Sequence, residues 1–133
     1  MDIGRLTLVP VVLTQGLWVA MNALSLPDPA GPRFGVEGAG PDLRILIVGD
    51  SSAVGVGVSH QKDALSGQVA RRLASDYAVY WKVIAKSGAT ATETVQRLQS
   101  ATPDVFDVAI VALGVNDSKN AVAASVWEAH YRD

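Results

Sequence analysis

The 133-residue chain contains no cysteine, which excludes disulfides and thiolate metal sites and leaves the redox compartment open. No cluster of Lys or Arg exceeds the pair Arg71–Arg72, and the net charge is −2. Without a basic field, nucleic acid is not an expected partner. No internal repeat and no low-complexity run is present. A P-loop is absent as well: five residues separate Gly49 from Gly55, and Val56 follows where Lys is required. The dinucleotide fingerprint fails at His60, which stands where its last glycine belongs. Finally, no charged residue occurs between Leu6 and Pro27, "LTLVPVVLTQGLWVAMNALSLP".

That uncharged stretch reaches the roughly 20 residues that span a bilayer as a helix. Its polar members Thr7, Thr14, Gln15 and Asn22 recur about every seven residues and would form one narrow stripe on a helix. A signal peptide calls for more positive charge than Arg5 supplies and a cleaner small-x-small site than "AMNALS". A membrane anchor accounts for the missing charge, and a helix docked on the following domain accounts for the stripe. Membrane association through residues 6–27 and a docked helix therefore both stand as expectations, with a cytoplasmic or a membrane-associated or periplasmic location to match. Pro27 to Asp42, "PDPAGPRFGVEGAGPD", reads as a linker, because Pro and Gly punctuate structure. Residues 1–42 are thus an apolar segment and linker, and 43–133 the folded domain.

Leu43 to Val48, "LRILIV", is a short branched apolar run, as in a strand buried on both faces. Leu65, Val69, Leu73 and Tyr77 are spaced by four and predict a helix from about Asp63. "VYWKVIA", Val79 to Ala85, predicts a second strand. Thr90 and Glu93 have the form of a capping box, opening a helix that ends before Pro103. "FDVAIVAL", Phe106 to Leu113, predicts a third strand. A last amphipathic stretch from Ala121 directs Val122, Val126 and Trp127 to the core. Strand–helix alternation of this kind means a parallel sheet with helices on both faces. Ligands in such sheets bind past the carboxyl ends of the strands. Three loops meet that condition: Gly49 to Ser52, Ser87 to Ala89, and Gly114 to Asp117.

The first loop offers a serine at a strand end. The second offers Gly88, with no side chain to obstruct its N–H. The third offers the Asn116 amide after a glycine that permits a tight turn. A nucleophile flanked by such donors is what acyl transfer requires. "GDS" at Gly49–Ser51, the glycine of "SGAT" at Gly88, and "GVND" at Gly114–Asp117 resemble the first three sequence blocks of the SGNH-hydrolase superfamily, the GDSL-type esterases and lipases. The resemblance covers about Leu43 to Arg132. It implies a flavodoxin-like three-layer α/β/α sandwich and an acyl-enzyme esterase acting on a small-molecule ester without metal or organic cofactor. In that resemblance Ser51 is the nucleophile, and the Ser51 N–H, Gly88 N–H and Asn116 side chain form the oxyanion hole. Ser52 stands where the family name has Leu and is not read as a second nucleophile. Asp50, at a helix start, is expected to accept backbone N–H bonds and fix the turn.

The family's Asp-x-x-His block is not found. The two histidines are His60 and His130, neither preceded by Asp at that spacing, and both are expected to be structural or surface residues. The carboxyl-terminal part of the fold is therefore expected to be absent, the third strand to lack an outer neighbour, and the chain alone to fold poorly and hydrolyse esters weakly. A Gly-x-Ser-x-Gly elbow is a rival that fits less well, since Ala53 stands in its last place and that elbow normally follows several strands whereas this serine follows the first. A non-catalytic or nucleotide-binding α/β module is the alternative function.

Overall fold

β2 (Asp42–Gly49) forms the centre of a four-stranded sheet ordered β1-β3-β2-β4 in the computed structural model, which describes residues 3–22 and 26–132. β1 is Phe34–Glu37, β3 Ala78–Ala85 and β4 Val108–Ala112. β2 runs parallel to both β3 and β4, while β1 pairs antiparallel with β3. Alternate residues of β2 take opposite faces. Ile45 and Ile47, 2% and 0% exposed, enter a core with Ala53, Val54, Ala70, Val79, Trp81 and Val83. Burying one such side chain is worth about 2–3 kcal/mol. Leu46 and Val48 face the other way, towards Val95, Leu98 and Tyr131.

Helices cover both faces. α2 (Ser51–Val54) and α3 (Leu65–Leu73) lie on the first, joined through a 3₁₀ turn, Gln61–Asp63. α4 (Ala91–Gln99) and α6 (Ala124–Arg132) lie on the second, and α5 (Val115–Lys119) connects β4 to α6. The result is the three-layer α/β/α arrangement expected from the alternation. α3 starts later than the spacing predicts, and Tyr77 lies beyond its end. The residues before α3 form the 3₁₀ turn, closed by Asp63 N to His60 O and Ala64 N to Gln61 O, and Gly67 packs against that turn, where a Cβ would lie only 2.1 Å from Lys62 O.

The capping box at the start of α4 forms as expected, with Glu93 N on Thr90 Oγ1 at 3.4 Å and Thr90 N on Glu93 Oε2 at 3.0 Å. The Thr90 N–H bond holds the Glu93 carboxyl below the usual carboxylate range. One residue of α6 departs from expectation: Val126 is 45% exposed. The inward face is set by Trp127 and His130, three apart, with Tyr131 stacked on Trp127 at 4.7 Å. Val126 sits one position off that face.

β1 falls within the stretch read as linker. Its four residues are too short for a strand signal, and Gly35 lies flat against Trp81, whose indole would be 2.7 Å from a Cβ there. At the other side β4 forms the sheet edge, with Val108 and Val111 each 45% exposed. An unpaired apolar edge of this kind promotes association.

α1 (Ile3–Asn22) is a helix whose side chains from Pro10 to Val19 are all exposed, so the expected docking on the domain is not observed there. The physical reason lies in its polar groups. Thr14 Oγ1 donates to its own helix, to Pro10 O and Val11 O at 2.9 Å each, and Asn22 Nδ2 donates to Trp18 O at 2.8 Å. Thr14 and Asn22 are thus satisfied within the helix and need no partner on the sheet. The Thr7 side chain and residues 23–25 of the uncharged stretch lie outside the described residues. Among the described residues no helix is long and apolar enough to cross a membrane.

Candidate active site

The parallel register brings three strand ends level: Gly49 of β2 stands opposite Ala85 of β3 and Ala112 of β4. Two backbone bonds extend the alignment past the sheet, Lys86 N to Gly49 O at 3.2 Å and Asp50 N to Ala112 O at 3.1 Å. Parallel neighbours are about 4.8 Å apart, so the three loops start side by side with the first in the middle. Gly49 is where β4 approaches most closely. With φ +154°, a Cβ there would sit 1.9 Å from Ala112 O.

From Gly49 the chain turns into α2 within one residue. Asp50, 2% exposed, is the N-cap and accepts Ser52 N on Oδ1 at 3.0 Å, as the sequence predicts. Ser51 is the first residue of α2 and is half-buried. Ala53 and Val54 beneath it are fully buried, and Gly55 ends the helix in the left-handed conformation at φ 91°. Small residues let the chain reverse so tightly above the central strand. Among the described residues, neither the Ser51 N–H nor its Oγ has a hydrogen-bond partner.

The second loop is a turn over Lys86–Ala89, closed by Ala89 N to Lys86 O at 3.0 Å. Gly88 occupies its third position with φ +82°, the value a type II turn requires there. Nothing lies within 4 Å of a Cβ built on Gly88, so conformation rather than crowding calls for glycine. Its N–H has no acceptor among the described residues.

The third loop joins the other two. Gly114, at φ +125°, opens α5, and Asn116 follows, half-buried. Asn116 Nδ2 donates to Ala89 O at 3.1 Å and to Asp50 Oδ2 at 3.4 Å. One carboxamide therefore touches both the loop of Ser51 and the loop of Gly88. Asp117, 3% exposed, accepts Ala91 N on both carboxylate oxygens at 3.1 Å, which fixes the start of α4 beside the turn. Sequence reasoning singled out Asn116 but missed Asp117 and the second bond of Asp50. The Asp of "GVND" was visible, but its partner 26 residues away was not. Asp117→Ala leaves the first N–H of α4 buried without its acceptor and is expected to cost about 2 kcal/mol in a denaturation experiment. Asp117→Asn, which keeps one acceptor oxygen, should cost less.

Neither histidine is hydrogen-bonded to Ser51 among the described residues. His60 is exposed and bridges to Ala30. His130 lies on α6 against the second sheet face, with Nδ1 buried. A cavity of about 490 Å³ opens beside the third loop, lined by Leu113, Gly114, Val115, Val122 and Trp127. Among the described residues no group of His, Asp and Glu is placed to hold a metal.

No curated protein matches the chain. Residues 47–133 match the GDSL-like Lipase/Acylhydrolase family, a span that takes in all three loops together with Ser51, Gly88 and Asn116. With about two thirds of its length so matched, and with a mostly parallel sheet carrying those loops at one end, the chain belongs to the GDSL-like lipase/acylhydrolase family.

Proposed function

We propose that Ser51 is the nucleophile of an acyl-enzyme mechanism on carboxylic esters, with the Ser51 N–H, the Gly88 N–H and the Asn116 carboxamide receiving the oxyanion. Family membership makes the domain a hydrolase of ester-type substrates in general. The observation that supports the finer reading is the single Asn116 side chain in contact with both other loops. In the reaction, Ser51 Oγ bonds to the ester carbonyl carbon and the oxygen becomes an oxyanion. A base takes the Ser51 Oγ proton during attack and returns it to the alcohol oxygen as the ester C–O bond breaks. Water then adds to the acyl carbon, and cleavage of its bond to Oγ releases the acid and restores the hydroxyl. The two unengaged N–H groups are ready donors. The third comes from Asn116, whose 3.4 Å bond to Asp50 is the long one and the one an oxyanion displaces.

A serine hydroxyl needs a base, and none of the three loops supplies one. Imidazole in solution can stand in, its pKa lying near neutrality. Incubating the chain with a fluorophosphonate and imidazole, followed by peptide mapping, is expected to place the label on Ser51 alone. Label on Ser52, or none on either, contradicts the assignment.

We also infer that α1 rests on a lipid surface. No charge occurs between Leu6 and Pro27, Leu17 and Trp18 are 63% and 67% exposed, and Thr14 and Asn22 bond to their own helix. A helix so satisfied suits an uncharged, apolar medium. The chain is expected to float with phosphatidylcholine vesicles, and Leu17→Asp with Trp18→Asp to leave it in the soluble fraction. Failure of the unaltered chain to float contradicts this.

A further inference from the structure

A strap of residues 28–33, outside the family-matched region, holds the second loop and the chain that leaves α2. Ala30 N donates to Ser59 O at 3.0 Å, and Ala30 O accepts Gln61 N at 2.8 Å, on the chain that leaves α2. Pro29 is buried, 3.5 Å from where a Cβ of Gly55 would stand. On the other side Arg33 Nη1 donates to Ala85 O at 2.7 Å, where β3 ends. Arg33 Nη2 also pairs with Asp28 Oδ2 at 2.7 Å, and the remaining oxygen of Asp28, Oδ1, accepts Ser87 Oγ at 2.9 Å.

Ser87 is the residue before Gly88 in the Lys86–Ala89 turn. The peptide between them carries the Gly88 N–H, and its orientation is what separates a type I from a type II turn. We propose that Asp28 is a positioning residue: by holding the Ser87 hydroxyl, with Arg33 anchoring it to the end of β3, it keeps the Ser87–Gly88 peptide turned so that the Gly88 N–H serves the oxyanion. Asn116 holds the far end of the same turn at Ala89 O. The turn is therefore gripped from both ends, and only one grip belongs to the family-matched part of the chain. This rests on the reading of Gly88 as an oxyanion donor.

The Asp28 and Arg33 side chains are 44% and 37% exposed, and surface pairs of this kind add little stability. The strap's effect is therefore expected in the site rather than in the melting temperature. Asp28→Ala and Ser87→Ala should each speed hydrogen exchange of the Ala89 amide about tenfold, because its bond to Lys86 O closes the turn. Each should slow fluorophosphonate labelling of Ser51 about tenfold, as small displacements at a reacting centre do. The melting temperature should move by no more than about 2 °C. The double variant should be no worse than either single one, since both break the same bond. Ser87→Thr, which keeps the hydroxyl, should restore both readouts to within about twofold. Unchanged Ala89 exchange in both single variants, or additive effects in the double one, overturns the proposal. If Ser51 takes no label even in the unaltered chain, the catalytic reading fails. The exchange result still decides whether the strap controls the turn.

Discussion

Ser51→Ala is expected to reduce hydrolysis of a p-nitrophenyl ester by the chain, measured with imidazole present, to the rate of imidazole alone. The whole of the imidazole-dependent excess should vanish, because no other group in the site is proposed to form the acyl intermediate. Ser52→Ala should leave the rate within about twofold, since Ser52 contributes its backbone N–H to the Asp50 cap and that N–H survives the change. Asn116→Ala should cost about 10²–10³-fold, or roughly 3–4 kcal/mol, as expected for one oxyanion donor. Asn116→Asp should be worse. It removes the donor and sets a carboxylate 3.4 Å from Asp50 Oδ2, where two like charges raise each other's proton affinity. Equal rates for Ser51→Ala and the unaltered chain, after subtraction of imidazole, contradict the assignment.

Gly49→Ala is expected to have the largest effect on folding. Both the left-handed φ of +154° and the 1.9 Å approach of Ala112 O stand against a Cβ, and the obstacle is backbone of the neighbouring strand. Relief would require β4 to move off β2, breaking the Asp50 N to Ala112 O bond and the level alignment of the loops. We expect a loss of about 3 kcal/mol or more, lowering the melting temperature by at least about 10 °C. Gly88→Ala is the contrasting case. Its φ is equally positive but the space is empty, so only conformational strain of about 1 kcal/mol applies. Two glycines in adjacent loops thus separate crowding from conformation. A Gly49→Ala protein as stable as the Gly88→Ala one contradicts the close packing of β2 on β4.

How much of this could be read from the residues follows from the range of each interaction. Local signals were reliable. The apolar runs of β2, β3 and β4, the Thr90–Glu93 capping box and the Asp50 cap all involve groups within a few residues of one another. The rule that ligands sit past parallel strand ends selects three loops without any motif, and the structure brings those loops side by side. Contacts across the sequence were not legible: Asp117 with Ala91, Asn116 with Asp50, and Asp28 with Ser87 are 26, 66 and 59 residues apart. β1 was hidden because four residues among Pro and Gly carry no period, and its pairing is set by Trp81 covering Gly35. The orientation of α6 was missed at Val126 because Trp127 and His130, three apart, set the inward face. For α1, composition predicted the helix, while the bonds of Thr14 and Asn22 to its own carbonyls, which remove the need for a docking partner, appear only in three dimensions.

The account turns on whether Ser51, Gly88 and Asn116 serve one oxygen atom. The direct measurement is a crystal structure of the chain after phosphonylation, in which the phosphoryl oxygen stands for the oxyanion. The prediction is a bond from Ser51 Oγ to phosphorus, with that oxygen about 2.7–3.1 Å from Ser51 N, Gly88 N and Asn116 Nδ2. In that adduct Asn116 has exchanged its bond to Asp50 for one to the phosphoryl oxygen. An adduct on another residue, or a phosphoryl oxygen that turns to solvent while Asn116 keeps both of its present bonds, contradicts it.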